Sequence, residues 1–219
     1  MTTYFEDFSS VTDNVAVPDW TARWSGDMTI VGRDEATASN GKAARITHAG
    51  SSDARAGLTW NVIDSDAHRD NVEIAIRWKG YTSSSGLRRA RIVARGSGAT
   101  DTDMTSYAGG LSYRAGEHQR RLVKYVNGSF TDINSSLVDE VGQNVWQRIR
   151  FRANGSDLKL KTWLDSTDEP AGWDVEETDS SISGAGWVGF FLLDQGAAAD
   201  VDWIGVGTDG DEACRVPLP

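Results

Sequence analysis

A two-residue alternation across residues 145–164 constrains the fold of this chain more than any other feature. Apolar side chains alternate with basic or aromatic ones over residues 145–153 and again over residues 157–164. Successive side chains of a strand point to opposite faces, so this period predicts two half-buried strands. Asn154 and Gly155 tolerate positive φ and predict a tight turn between them. The apolar face of this hairpin needs a second apolar layer, which indicates a second sheet.

The opposite face of the hairpin is basic and bordered by tryptophan. Trp146 and Arg150 fall on that face in the first strand, and Lys161 and Trp163 fall on it in the second. Aromatic rings among cationic groups can bind a sugar face or an anionic glycan. The same cations can instead stack on the rings and only stabilise the fold. Both interpretations stay open, and these four residues are candidate ligand-binding residues.

Short strand-like runs recur along the whole chain, with polar turns between them. No window of helical length holds an apolar period of about 3.6 residues, and no linker or fixed-period repeat divides the chain. About twelve short strands without helices predict an all-β sandwich or jelly roll. We expect one domain over residues 1–219. The runs cover residues 4–8, 43–48, 56–62, 71–78, 89–95, 110–113, 120–126, 129–133, 145–153, 157–164, 186–193 and 200–206.

Several segments share one pattern of strands and aromatic residues. They are Phe-Glu-Asp-Phe at 5–8 followed by Trp20 and Trp24, the stretch 146–155 running into 158–163, Glu169-Pro170 with Trp173, the stretch 184–189, and Val-Asp-Trp-Ile-Gly-Val-Gly at 201–207. This pattern resembles the concanavalin A-like lectin/glucanase superfamily. The resemblance implies a jelly-roll sandwich of two antiparallel sheets with the first and last strands adjacent. It also extends to domains encoded in the structural modules of tailed phages.

Charge is distributed unevenly along the chain. The net charge is −10, yet residues 88–124 contain 8 basic and 3 acidic residues. Such a block can mark a partner surface, or its side chains can pair with acidic loops of the same molecule. An acidic chain argues against duplex nucleic acid as a partner.

The first residues and the apolar runs of the chain bear on where the protein is located in the cell. Residues 1–8 have neither a basic region nor an apolar core like those of a signal peptide, and no apolar run approaches a membrane span. We expect synthesis in the cytoplasm and no membrane partner. The phage resemblance implies a place on a virion surface.

A glycine-rich polar stretch at residues 96–110 is predicted to be the longest flexible loop. Loops on a rigid scaffold often carry binding residues. Tyr107, Tyr113 and Arg114 could form an aromatic and polar rim beside the basic block. A mobile surface loop without a binding role is the alternative.

Few residues of the sequence point to catalysis or to metal binding. Glycoside hydrolysis needs two facing carboxylates, but no Glu-x-Asp-x-Glu triplet occurs and the acidic clusters lie in predicted turns. We therefore assign no catalytic residue and no cofactor. Asp101 with Asp103 and Asp209 with Asp211 could supply oxygen ligands to calcium, without an assigned site.

These observations predict a non-catalytic, surface-exposed, lectin-like module. Its partner would be a carbohydrate or a neighbouring virion structural protein, which would make it an adhesion or decoration protein. A homo-oligomer is compatible with that role, because an array of weak sites gains avidity. The alternative is a glycoside hydrolase or another polysaccharide-degrading enzyme of the same fold.

Overall fold

Nearly all of the regular secondary structure in the described part of the chain is β-strand. The structure is a computed structural model that describes residues 2–24, 28–49, 56–64, 70–81, 88–114, 117–138, 144–192 and 196–213. The strands are β1 Thr2–Glu6, β2 Trp20–Trp24, β3 Met28–Asp34, β4 Lys42–His48, β5 Ala56–Trp60, β6 Val72–Tyr81, β7 Arg88–Ser97, β8 Thr105–Arg114, β9 Glu117–Val126, β10 Ser129–Leu137, β11 Gln147–Asn154, β12 Asp157–Leu164, β13 Val175–Thr178, β14 Trp187–Leu192 and β15 Ala198–Thr208. A single helical turn, α1, spans Asn61–Asp64.

The strands form two antiparallel sheets, which confirms the predicted all-β jelly-roll sandwich. Sheet A has the order β13-β12-β11-β6-β15-β4-β3, and β1 also pairs with β15. Sheet B has the order β10-β9-β8-β7-β14-β5-β2. The first and last strands are therefore adjacent, as the resemblance implied. The predicted hairpin is β11–β12, with Arg148 opposite Trp163 and Gly155 at a φ of 57° in the turn.

The main core fills the space between the two sheets. Ile76 and Phe151 from sheet A and Ile92 and Phe190 from sheet B are fully buried there. Trp78 meets Phe190 edge-on across the gap, with ring centroids 6.5 Å apart. Burial of these apolar faces is the principal term that holds the sheets together.

The prediction of a flexible loop over residues 96–110 is wrong. Strand β8 begins at Thr105, so the connection covers only residues 98–104. Gly109 lies within this strand, and a Cβ at its position would come within 3.0 Å of the Phe151 ring of the opposite sheet. A Cβ on Gly110 would lie 2.3 Å from the Ala90 carbonyl oxygen of the neighbouring strand. The glycines allow close packing and do not mark flexibility.

Arg95, near the end of β7, joins three separate loops. Its guanidinium donates hydrogen bonds to the carbonyl oxygens of Asp70 at 2.7 Å, Ile182 at 2.6 Å and Gly155 at 2.6 Å. The side chain is buried, so these bonds satisfy a cation that has lost its water. Arg95 therefore ties the segments before β6, between β11 and β12, and before β14 to sheet B.

Candidate ligand-binding faces

The outer face of sheet A carries a network of paired charges. Arg77 donates to Asp202 at 2.5 Å and to Asp165 at 2.8 Å, and Arg148 donates to the other Asp165 oxygen at 2.6 Å. Lys79 lies 2.8 Å from Glu35. Each of these cations has a carboxylate from another segment of the same molecule.

A second group of ion pairs covers the part of this face formed by the β11–β12 hairpin. Glu73, from β6, accepts hydrogen bonds from both Arg150 and Arg152. Glu169 lies 2.9 Å from Arg150 and 2.7 Å from Lys161. The positive charge predicted from strand parity is present, and acidic residues of the chain neutralise it.

The tryptophans of this face stack on those cations. The Trp146 ring lies 4.3 Å from the Arg77 guanidinium and 4.7 Å from the Lys79 ammonium. Its indole nitrogen donates to the Thr37 hydroxyl at 2.8 Å. Trp163 is buried, with the Lys161 ammonium 6.0 Å from its ring. These contacts are cation–π interactions of the kind that stabilise a fold, and sugar binding by Trp146 and Trp163 stays a prediction.

The remaining sequence-predicted residues do not join that face. Tyr107 is 0% exposed and Tyr113 is 2% exposed, and both rings belong to the core between the sheets. The Tyr107 hydroxyl donates to the Asp179 carboxylate at 2.6 Å, and burial together with that carboxylate raises the pKa of Tyr107 to about 12. The Tyr113 hydroxyl donates to Gln147 at 2.6 Å. Arg114 ends β8, and its side chain lies outside the described residues.

The ion pairs make stability depend on acid pH. Burial alone would raise the pKa of Glu35, but hydrogen bonds from Lys79 and Thr37 outweigh it and lower the pKa from 4.5 to about 2. The pKa of Asp165 is also lowered, since Arg77 and Arg148 outweigh burial. A carboxylate with a depressed folded-state pKa stabilises the fold above its unfolded pKa, and that stability is lost as the pH falls through the folded value.

We therefore expect the free energy of unfolding to fall between about pH 4.5 and pH 2. Urea denaturation at a series of pH values would measure it. Glu35→Gln should take up about one proton fewer on unfolding across that window, because the substituted side chain cannot titrate. An unchanged proton uptake in this variant would contradict the role of Glu35.

The outer face of sheet B is different, because it is concave and holds an aromatic cluster. Tyr125 and Phe191 lie on β9 and β14, which are three strand spacings apart, about 14 Å in a flat sheet. Their ring centroids are only 5.7 Å apart, so the sheet curls toward this face. The cluster is separate from the main core and comprises Trp24, Val93, Met104, Ala108, Val123, Tyr125, Trp187 and Phe191.

The rim of the concave face has an exposed aromatic ring beside a polar pair. Phe130 on β10 is 43% exposed, and its ring centroid lies 5.6 Å from that of Tyr125. The Arg121 guanidinium lies 5.6 Å from the Phe130 ring and forms an ion pair with Asp132. We call Phe130, Arg121 and Asp132 the β10 rim.

Arg91 lies deeper in the same face. One row across the sheet consists of Arg23, Gly57, Phe191, Arg91, Gly110, Arg121 and Ser135. Arg91 is 1% exposed and donates to the hydroxyls of Tyr125 at 3.2 Å and Ser112 at 3.3 Å. Its Nε is buried without a hydrogen-bond partner.

The cations of the basic block at residues 88–124 lie in two different environments. Arg120 pairs with Asp174 at 2.8 Å and Lys124 pairs with Asp179 at 2.5 Å, so these two cations bind acidic segments of the same molecule. Arg121 and Arg91 lie on the concave face instead. The side chains of Arg88 and Arg114 lie outside the described residues.

Asp101 and Asp103, one of the pairs considered as calcium ligands, lie in the turn before β8. The Asp103 carboxylate accepts hydrogen bonds from the backbone and hydroxyl of Thr100 at 2.7 and 2.9 Å, which closes its own turn. Within the described ranges, no three His, Cys, Asp or Glu residues gather to hold a metal ion. That includes both Asp101 with Asp103 and Asp209 with Asp211. The described part of the chain likewise has no helix long and apolar enough to cross a membrane.

Solved structures with the same fold include lectin-like domains. A carbohydrate-binding module, CBM66 from Bacillus subtilis, superposes with a TM-score of 0.57 at 16% identity, covering 87% of this chain and 95% of that one. The exoplasmic/lumenal domain of VIP36, in a form bound to Ca²⁺ and Man3GlcNAc, has a TM-score of 0.60 at 12% identity and covers 98% and 93%.

A GH43 protein from Bacillus licheniformis has a TM-score of 0.52 at 14% identity, and 93% of this chain matches 39% of it. No protein-family model and no curated protein sequence matches the chain. The chain thus has the fold of an all-β, concanavalin A-like jelly-roll sandwich.

Proposed function

We propose that this protein is a non-catalytic carbohydrate-binding module whose ligand lies on the concave face of sheet B, at the β10 rim. The observation that supports this site is the exposed Phe130 ring next to the Arg121–Asp132 pair. An aromatic ring offers a flat apolar surface to a sugar face. A guanidinium and a carboxylate beside it offer directed donors and acceptors to the hydroxyls.

The contrast between the two outer faces supports this choice. On sheet A the cations Arg77, Lys79 and Arg150 are paired with carboxylates, and Trp146 stacks on Arg77 and Lys79. A ligand there would have to displace ion pairs whose side chains are largely buried. On sheet B the Phe130 ring and the Arg121–Asp132 pair are partly exposed, so a ligand can reach them without opening a buried ion pair.

The structural neighbours add fold-level support. One is named as a carbohydrate-binding module, and another is described with a mannose-containing ligand and Ca²⁺. A shared fold allows a function without establishing it, so the argument depends on the residues of the β10 rim.

The absence of catalysis is part of the proposal. Glycoside hydrolases place two carboxyl groups about 5 to 10 Å apart across the bond that is cleaved. On the strands of the concave face, Asp132 is the only carboxylate among the side chains that the structure describes, and Arg121 pairs with it. A hydrolase would release reducing sugar from its polysaccharide, and such release would overturn this part of the proposal.

A glycan array with neutral, uronic-acid and sulfated polymers tests the proposal, followed by titration of the strongest ligand. Phe130→Ala should weaken that binding about tenfold, because the stacking surface is lost, while the melting temperature changes little. Phe5→Ala is the matched control, since Phe5 is 41% exposed but lies in β1 of sheet A. No binding across the array, or equal losses in the two variants, would contradict the proposed site.

Display on a virion surface is the narrower form of this proposal and rests on the resemblance of the sequence to phage structural domains. Many copies in an array would convert weak single sites into firm adhesion. Neighbouring genes for capsid or tail proteins would support it. Neighbours with cellular functions would contradict it and leave the binding proposal standing.

A further inference from the structure

Arg91 is exceptional among the buried cations of the described residues. The others have a carboxylate or several carbonyl oxygens as partners: Arg77, Lys79, Arg150 and Lys161 are paired with carboxylates, and Arg95 binds three carbonyls. Arg91 has only two neutral hydroxyls as partners. Its Nε has no hydrogen bond, as is also the case for the Nε of Arg77, whose charge is instead paired with carboxylates. Its bonds of 3.2 and 3.3 Å are longer than the 2.7–2.9 Å typical of charge-assisted pairs.

A buried cation without a counter-charge works against folding. Burial lowers the pKa of Arg91, which reflects the loss of water around the charge. An arginine nevertheless stays protonated inside proteins, so the charge remains. Proteins keep such locally unfavourable groups chiefly where function requires them.

The surroundings of Arg91 show where a counter-charge could come from. Gly110 lies between Arg91 and Arg121 in the register of the sheet, so no side chain separates the two arginines. Asp132, the acidic group nearest to this region, is engaged with Arg121 at the rim. Ser112 on β8 and Tyr125 on β9 lie on this same side of Arg91, and their neutral hydroxyls accept its two hydrogen bonds.

We infer that Arg91 and Arg121, on either side of Gly110, bind an oxyanion of the glycan, either a carboxylate or a sulfate group. The oxyanion takes the place of Asp132 at Arg121 and extends over Gly110 to the unpaired Nε of Arg91. The ligand class is therefore an acidic polysaccharide. This inference rests on the proposed function and specifies its substrate class.

The net charge of −10 bears on how this protein can bind an acidic polysaccharide. A chain this acidic repels polyanions at long range, so binding to one needs a local site with directed donors. Arginine suits that task, because its planar fork matches the geometry of carboxylate and sulfate oxygens.

Three polymers test the inference by titration calorimetry: dextran sulfate, polygalacturonate and uncharged dextran. We expect at least one charged polymer to bind about tenfold or more tightly than dextran, because charge-assisted hydrogen bonds replace neutral ones. The sulfate and uronate arms identify which oxyanion fits. Binding should weaken when sodium chloride rises from about 50 to 200 mM.

Arg91→Met separates a ligand role from a structural one. It should lower affinity for the charged polymer about tenfold and raise the melting temperature by a few degrees, because the unpaired charge is removed. Arg121→Met, at a partly exposed side chain, should show the same loss of affinity and serves if the first variant does not fold. Lys159→Met, from an exposed pair with Glu176 on sheet A, should bind like the wild type.

Each other outcome has a definite meaning. Loss of affinity together with a lower melting temperature in Arg91→Met would make Arg91 structural and overturn the inference. An equal loss in Lys159→Met would show general attraction between charges and overturn it as well. Binding of dextran with no preference for charge would overturn the anion site alone and leave the proposed function intact. Silence with every glycan would overturn both.

Discussion

Glu73→Gln is expected to lower the free energy of unfolding by about 3 kcal/mol or more. Glu73 is 2% exposed and binds both Arg150 and Arg152, and one of its oxygens accepts the Ala213 amide at 3.2 Å. Glutamine keeps the shape but removes the charge and replaces an acceptor with a donor. Arg150, itself buried, would then keep only Glu169 as a counter-charge. Breaking one partner of a buried pair strands the other, which is why the effect is large.

The matched control is Glu176→Gln. Glu176 pairs with Lys159 at 2.6 Å on the same sheet, but its side chain is exposed and water can replace the lost partner. A change below about 0.5 kcal/mol is expected. Urea denaturation of both variants, with the midpoint and the slope reported separately, measures the difference. Similar losses in the two variants would contradict the view that burial makes the Glu73 network important.

The fold could be predicted because it follows from local alternation. The β12 strand at Asp157–Leu164 matches its prediction at both ends, and parity correctly placed Trp163 opposite the apolar face. Strands β2, β3 and β13 were missed. β2 and β13 are short and have too few alternating apolar residues to show the period. β3 has seven residues, but Val31 on its outer face and Gly32 on its inner face interrupt the apolar alternation in the sequence.

The partners of the basic face could not be predicted from parity. Strand alternation shows which side chains share a face, but it carries no information about what covers that face. Glu73 lies in β6 and reaches Arg150 and Arg152 of the hairpin only because β6 pairs with β11. Asp202 in β15 and Glu35 after β3 pair with Arg77 and Lys79 of β6. An exposed basic face and a basic face neutralised by carboxylates therefore have the same local sequence pattern.

The β10 rim has a signal in the sequence. Tyr125 and Phe130 flank the Asn127-Gly128 turn at equal distance, so the predicted hairpin places them opposite each other on one face. Arg121 has the parity of Tyr125 and joins them. The curvature of sheet B, which makes this face concave, depends on contacts such as Tyr125 with Phe191 and has no local signal.

Arg95→Met is the second large expected effect, a loss of about 3 kcal/mol in the free energy of unfolding. The substitution removes three short hydrogen bonds and leaves the carbonyls of Asp70, Ile182 and Gly155 without their shared donor. Three loops would lose their common anchor, so local opening near β6 and β14 should also increase. Hydrogen exchange of the amides next to these loops would detect it.

Arg91→Met, on the same strand, is expected to change the free energy of unfolding in the opposite direction. Both arginines are buried in β7, but Arg95 meets three carbonyl oxygens, whereas Arg91 meets two hydroxyls at longer range. The same substitution should therefore destabilise the fold at position 95 and stabilise it by about 1 kcal/mol at position 91. Thermal and urea unfolding of the two variants under one set of conditions compares the signs. A comparable loss at both positions would mean that Arg91 is satisfied within the fold and that its charge is not held ready for a ligand.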